Sequence, residues 1–462
     1  MIKASSTASV SPAPRLRVQA MKEYHPPLGN RDLLRLDFNE NTLACSPKVR
    51  EVLAGISLGS LTRYPEREPV EALVAAHLGL AAEQVALTNG VDEDIHVLFE
   101  AFLEAGDELL LPVPTYTMYE VYASATDATV IAVQADDDLE FPFERLLAAV
   151  SLGSLTRYPE REPVEALVAA HLGLAAEQAA LTNGVDEAIH VLFEAFLEAG
   201  DELLLPVPTY TMYEVYASAT DATVIAVKAD DDLQFPFDRL LAAITPKSKI
   251  IAIANPNSPS GTIASRAQLL TLAERAPHAV LLVDEAYFHF HGETLIDQVG
   301  KIPNLIVART FSKAYGLAGL RLGLLAAPVE LMRWVRRVLS PYSVNSLALA
   351  CLPPALADTA YLDWYVSEVL AARAEFEAAL DHAKLRRWPS RANFVLVDIG
   401  PRHAEFVRLM RAAGVLVRDR SSDPGCDGLV RITIGTREQM RHAIQALNQT
   451  LHTLKRDTLK ST

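Results

Sequence analysis

Cysteine is scarce in this chain: Cys45, Cys351 and Cys426 are spread over 462 residues without a paired spacing. A disulfide framework and a cysteine-based zinc site are therefore not expected, and a reducing cytoplasm fits. Basic residues are also in deficit, with 42 Lys and Arg against 58 Asp and Glu and a net charge of −16. Nucleic-acid binding needs a concentrated basic face, so no nucleic-acid partner is expected. No apolar run approaches the roughly 18 residues of a membrane span, so no membrane partner is expected. The first twenty residues, MIKASSTASVSPAPRLRVQA, carry no apolar stretch of a secretory leader. What is present in quantity is apolar side chain, half of all residues, with 22% charged. That composition describes a globular protein with more than one core.

Part of the length is repeated. Residues 57–150 and 151–244 are adjacent 94-residue copies that differ only at Val85/Ala179, Asp94/Ala188, Gln134/Lys228, Glu140/Gln234, Glu144/Asp238 and Val150/Ile244. Solenoids stack at least three short units, so two long ones point instead to a tandem duplication inside a domain. Copy 1 carries a net charge of −15, and without it the remaining 368 residues stand at −1. The acidity is duplicated sequence and predicts no basic partner.

Short apolar runs alternate with helical stretches from residue 178 onward. QAALTNG (178–184), DELLLPVP (201–208), ATVIAV (222–227), KIIAIANP (249–256), AVLLVDEAY (279–287), NLIVART (304–310) and LRLGLLAAP (320–328) read as strands. Near-continuous apolar strands separated by helices mean a sheet covered on both faces, hence an α/β fold with mainly parallel strands. Ile189, Leu192, Phe193, Phe196 and Leu197 recur at helical spacing, and Gly200 supplies a stop. Gly184-Val185-Asp186-Glu187 then lies where a strand turns into a helix N-terminus, a place where free amides and the helix dipole suit a phosphate. Beyond residue 330 the pattern becomes α+β. The expected organisation is an N-terminal arm and part of the small domain (1–56), copy 1 (57–150), a large domain (151–330) and a small C-terminal domain (331–462).

The chemistry concentrates in three segments. TFSKAYGLAGLRLG (310–323) sets Lys313 just past a strand, with Thr310 and Ser312 before it and Arg321 after it. A lysine so placed suits a Schiff base beside an anchored phosphate. VDEAYF puts Asp284 at a strand end, where a carboxylate could pair with a protonated pyridine nitrogen, and Tyr287 three residues on, near a phenolic oxygen. NPNSPSG (255–261) is a tight turn suited to a planar ring. In this order the residues match a pyridoxal phosphate site. His289 and His291 lack a third ligand in a recognisable spacing, so no metal is expected.

With these motifs in order, and LDFNENTLACSP, LTRYPE, LTNGVDEAIH, PVPTYTMYEVY, PYSVNSLA, SRANFVLV, LVRD and LVRITIGT beside them, the chain resembles the fold-type I, class I/II aminotransferases. It is most similar to their histidinol-phosphate aminotransferase branch. The resemblance implies pyridoxal 5′-phosphate as cofactor, L-histidinol phosphate and 2-oxoglutarate as substrates, and a homodimer with shared sites. It also implies an alternative, an aromatic amino-acid aminotransferase, while the insertion itself raises a second: an inactive protein. Residue by residue, it makes Lys313 the cofactor-bearing base, Asp284 the partner of the ring nitrogen and Tyr287 the partner of ring O3′. Val185, Asp186, Glu187, Thr310, Ser312 and Arg321 would hold the phosphate, and Tyr210 would stack on the ring. Ser258 stands where the family has asparagine, which transfers that contact to Asn257 or Asn255 or weakens it. The tyrosine of LTRYPE, Tyr64 or Tyr158, would reach a neighbouring subunit's phosphate. Tyr24, Arg418 and Arg431 would receive the substrate phosphate and the 2-oxoglutarate carboxylate.

Each of Lys313, Asp284, Arg321, Arg418 and Arg431 lies outside the repeat, whereas the phosphate turn and stacking tyrosine occur twice. One copy alone can complete the fold. Asp94, next to the turn in copy 1, would oppose a phosphate, so copy 2 is expected to dock and copy 1 to be extruded.

Overall fold

The computed structural model describes residues 12–15, 46–134 and 160–460, apart from residues 79, 104–106, 114–115, 117 and 127. Tyr24 and Tyr158 lie outside the described residues. Copy 1 contributes helix α1 (Val91–Phe102) and strands β1 (Glu108–Val113) and β2 (Thr129–Gln134). Copy 2 contributes β3 (Ala179–Thr182), α2 (Gly184–Phe196), β4 (Glu202–Val207) and β5 (Thr223–Lys228). There follow β6 (Ser248–Ala254), β7 (Val280–Asp284), β8 (Leu305–Thr310), β9 (Gly323–Ala326) and α3 (Val329–Val338). The chain ends with α4 (Thr359–His382), β10 (Phe394–Asp398), α5 (His403–Ala412), β11 (Arg418–Asp419), β12 (Leu429–Thr433) and α6 (Arg437–Lys460).

Two compact units share these elements. One holds Leu197–Arg309 and Ala357–Thr462. Its parallel strands run in the order β8-β7-β6-β4-β5. Every residue of β7 and β8 is buried, which is why these strands are apolar on both faces rather than alternating. The same unit carries the antiparallel sheet β10-β12-β11. Leu233, Trp388, Leu396, Cys426 and Leu429 form one of its buried clusters.

The other unit spans Ala13–Phe196 and Thr310–Leu356. Here β3 pairs antiparallel with β9, Ala179 opposite Ala326 and Thr182 opposite Gly323. A cluster including Val168, Leu181, Phe311, Leu322, Leu324 and Leu352 is buried around this pair. The predicted helical periodicity is the one observed, since Ile189, Leu192, Phe193 and Phe196 are all fully buried. α2 closes at Phe196, short of Gly200.

The copies differ in how they are used. β3 of copy 2 pairs with β9, whereas β1 and β2 pair with one another and, among the described residues, with no other strand. Ala188 is fully buried in α2. A carboxylate there, as in copy 1 at Asp94, would be a charge without compensation, so this single difference favours copy 2 in the buried position. Copy 1 is nevertheless not simply extruded. It folds as a local replica of copy 2 and shares side-chain contacts with it. The Leu87 N–H donates to Glu71 Oε1 at 2.9 Å as the Leu181 N–H donates to Glu165 Oε1 at 2.8 Å.

Candidate active site

The carboxyl ends of β4, β6 and β7 carry Tyr210, the Asn255–Ser258 turn and Asp284, the edge at which open parallel sheets present ligands. Asp284 is buried. The Tyr213 hydroxyl donates to its Oδ2 at 2.9 Å and the Ala286 N–H to its Oδ1 at 3.0 Å. Both carboxylate oxygens thus accept hydrogen bonds. Tyr210 meets Tyr213 edge to face, with ring centroids 5.8 Å apart. Tyr287 is held the same way against Phe394, at 5.1 Å.

The two asparagines of the turn serve the turn itself. Asn255 exchanges two hydrogen bonds with the backbone of Ala264, at 3.1 and 2.9 Å. Asn257 donates to Pro208 O at 2.9 Å and to Ser260 Oγ at 2.8 Å, and accepts from Thr209 Oγ1 at 3.0 Å. Ser258 Oγ accepts from Arg431 Nη1 at 2.9 Å. Arg431 and Arg418 stand opposite each other on β12 and β11. Directly opposed residues share one face of a sheet, and like charges there repel. Among the described residues Arg431 Nε is a buried donor without a hydrogen-bond partner. Burial, with Arg418 and Arg420 nearby, pulls the Arg431 guanidinium below its usual pKa. An arrangement that spends energy crowding cations and burying a donor is one that an incoming oxyanion relieves.

In the other unit, α2 begins at Gly184, in the left-handed region at φ +81°. A Cβ there would lie 2.5 Å from Arg321 Nη2, so the guanidinium rests directly over the helix N-terminus. Arg321, itself at φ +52°, is paired with Asp186 at 2.8 Å. Thr310 and Ser312 are buried, and the Thr310 hydroxyl accepts from the Ser312 N–H at 3.1 Å. Backbone amides, a guanidinium and two hydroxyls make a donor set that fits a phosphate dianion. Lys313 Nζ donates to the Tyr64 hydroxyl at 3.4 Å. The Tyr64 ring also has Lys313 Nζ 5.3 Å and Arg321 Cζ 4.9 Å from its centroid. Burial would raise the Tyr64 phenol, but Lys313, the Ser312 hydroxyl and Arg321 outweigh it and hold the phenol below its usual range.

Gly323 gives a direct test of this cradle. A Cβ on Gly323 would stand 2.6 Å from Gly184 O and from Val185 N, backbone atoms that cannot rotate aside. Gly323→Ala is expected to cost about 1–3 kcal/mol through this overlap. The loss should register as a lower Tm and weaker cofactor retention; an unchanged value of both would refute the close approach.

Sequence reasoning missed Tyr213, Thr209 and the Asp186 carboxylate. Tyr213 lies three residues after Tyr210, a spacing visible in PTYTMYEVY, but nothing in that spacing says which acid it meets. The LTRYPE motif assigns Tyr64 to another subunit's phosphate, yet here it meets Lys313 and Arg321 of its own chain.

The aminotransferase class I and II family profile matches residues 31–153 and 143–447. The chain belongs to that family. Its relatives include the histidinol-phosphate aminotransferase of Thermoanaerobacter pseudethanolicus, 33% identical over 63% of this chain and 83% of the relative. That of Methanosarcina mazei is 36% identical over 57% of this chain and 71% of the relative. Among solved structures, a putative histidinol-phosphate aminotransferase from Erwinia carotovora atroseptica is 26% identical at a TM-score of 0.61, over 65% of this chain and 89% of that one. L-threonine-O-3-phosphate decarboxylase from Porphyromonas gingivalis, at 24% identity and a TM-score of 0.57, covers 64% and 89% and shares the fold. The aminotransferase is thus a fold-type I α/β enzyme that uses pyridoxal phosphate with amino and keto acids. No described helix is long and apolar enough to cross a membrane.

Proposed function

We propose that this aminotransferase moves the amino group of L-histidinol phosphate to 2-oxoglutarate, giving imidazole acetol phosphate and L-glutamate, in the cytoplasm. The curated relatives supply the substrate class, and the opposed Arg418 and Arg431 are the observation that carries it. A substrate with a phosphate and a second substrate with a distal carboxylate both satisfy that pair, because a planar guanidinium binds either oxyanion bidentately. Tyr24, outside the described residues, completes this part of the reading.

Pyridoxal phosphate supplies an electron sink for the pair left on the donor carbon when its proton departs. The chain's residues do the rest. Val185, Asp186 and Glu187 offer their amides, and Thr310, Ser312 and Arg321 their side chains, to the cofactor phosphate. Arg321 shares its guanidinium between that phosphate and Asp186. Lys313 takes the donor's proton at Nζ and returns it on the far side of the transfer. Asp284, oriented by the Tyr213 hydroxyl and the Ala286 N–H, would hold a proton on the ring nitrogen. Tyr287 would donate to ring O3′ and Tyr210 would cover the ring, while Asn257 and Ser258 shape the turn beside it. The LTRYPE tyrosine, Tyr64 or Tyr158, belongs to the same reading as a further phosphate contact, and Tyr64 is the one that meets Lys313 and Arg321.

The visible spectrum of the purified protein tests it. A band of bound cofactor that L-histidinol phosphate bleaches in the absence of an acceptor is expected. Bleaching by free phenylalanine alone would move the enzyme to the aromatic amino acids. No band after adding pyridoxal phosphate would mean a site spoiled by the repeat.

A further inference from the structure

His96 and Glu100 of copy 1 are the same residues, 94 positions earlier, as His190 and Glu194 of copy 2. His96 Nε2 meets Glu194 Oε2 at 2.8 Å, and His190 Nε2 meets Glu100 Oε1 at 2.7 Å. The two imidazoles stack on each other, centroids 4.8 Å apart and planes 8° from parallel. Residue i of one segment meets j of the other while j meets i, and the equivalent rings face each other on the axis. That is the signature of a two-fold, self-complementary contact, normally made between two chains. Here both halves belong to one.

The flanking strands of the two copies fold alike. Strand β1 pairs with β2 from Glu108 opposite Thr129, and β4 with β5 from Glu202 opposite Thr223, the same register displaced by the repeat. Copy 1 therefore brings a correctly folded twin to the face of copy 2, not an arbitrary covering. Burial would lower the His96 pKa, but the carboxylates of Glu194, Glu100 and Glu187 outweigh it and raise it to about 9. Glu194 in turn is held below its usual value although burial opposes this, chiefly by His96 and His190. Across the contact, a charged imidazole is thus matched to a charged carboxylate.

The segment's leading end does something further. The backbone carbonyls of Ser60 and Arg63 pass so close over Gly319 that a Cβ there would meet both, the latter at 2.9 Å. This passage sets Tyr64 on Lys313 and Arg321. We propose that copy 1 is a built-in substitute for a second subunit: it occupies the two-fold face of copy 2 and delivers Tyr64 to the phosphate cradle of its own chain. The docking half stands on the contacts alone. The Tyr64 half rests on the cofactor reading above.

Cross-linking the full-length protein tests the docking. In His96→Cys/His190→Cys, a short bis-maleimide should join the peptides carrying positions 96 and 190 within a single chain, at one-chain mobility. A two-chain product joining those positions, or no joined peptide, would overturn the docking. Because the two substitutions remove both ion pairs, the unaltered protein provides a second reading. Light scattering with pyridoxal phosphate present should give the mass of one chain, and the mass of two would overturn the substitution of a subunit. Tyr64→Phe should weaken pyridoxal phosphate binding about three- to tenfold, the worth of one hydrogen bond. Unchanged binding would remove Tyr64 from the cradle while leaving the docking in place. Failure of the unaltered protein to bind the cofactor would count against the functional reading and not against the cross-link.

Discussion

Lys313→Ala is expected to lower transamination by about 10²–10⁴-fold, the range that a positioned proton-transfer group supplies. Lys313 follows the buried run Leu305–Ser312 and reaches out half-buried to the Tyr64 hydroxyl, so truncating it opens no core cavity and should leave the Tm nearly unchanged. Lys313→Arg separates charge from chemistry. Arginine keeps the positive charge and most of the reach, but its guanidinium does not give up a proton in a protein. The same loss is therefore expected from both variants. Borohydride treatment supplies a readout besides activity: the unaltered enzyme should become labelled with cofactor on the peptide that contains Lys313, and neither variant should. Activity in Lys313→Arg near that of the parent, or labelling at another lysine, would remove Lys313 from the centre of the reading.

How much of this was legible before the structure depends on what kind of information each feature needs. β7 was readable because Val280–Val283 is an apolar run that ends in an acid, and the observed strand stops at Asp284. α2 was readable because its apolar residues recur at helical spacing and are the ones buried. Both signals are local. The partners of Asp284 are not, since Tyr213 reaches it across 71 positions and the sequence around either residue is compatible with many partners. Nor does spacing reveal that β3 runs antiparallel to β9, because a short, wholly buried strand looks the same in either direction.

The repeat was the plainest feature of the sequence and the hardest to interpret. Nearly identical segments have nearly identical propensities, so copy 1 and copy 2 form equivalent helices and equivalent strand pairs. Their surroundings then diverge: Phe196 is fully buried, whereas its twin Phe102 is 77% exposed. Extrusion was the expected outcome because the site residues outside the repeat occur once, so one copy alone completes the site, and Asp94 disfavours copy 1 there. A segment whose side chains complement those of its own twin carries its docking surface with it. His96 and Glu100 therefore find His190 and Glu194 without a new sequence being required.

Asp284→Asn is expected to lower kcat by about 10²–10³-fold, the scale for removing one preorganised electrostatic contact, with a smaller change in KM for the amino donor. The carboxylate sits buried between two donors, the Tyr213 hydroxyl and the Ala286 N–H. An amide is nearly isosteric but offers one acceptor where the site presents two donors, and it carries no charge to keep a proton on a ring nitrogen. Tyr213→Phe distinguishes that electrostatic role from simple packing. It leaves the charge and the Ala286 contact and removes one hydrogen bond, worth about 0.5–1.5 kcal/mol, so a few-fold effect on kcat is expected. The cofactor band should shift in Asp284→Asn and stay close to the parent in Tyr213→Phe, because only the first changes the charge beside the ring. If the two variants lose activity equally and neither moves the band, Asp284 is a packing residue, and the site owes its electron sink to some other group.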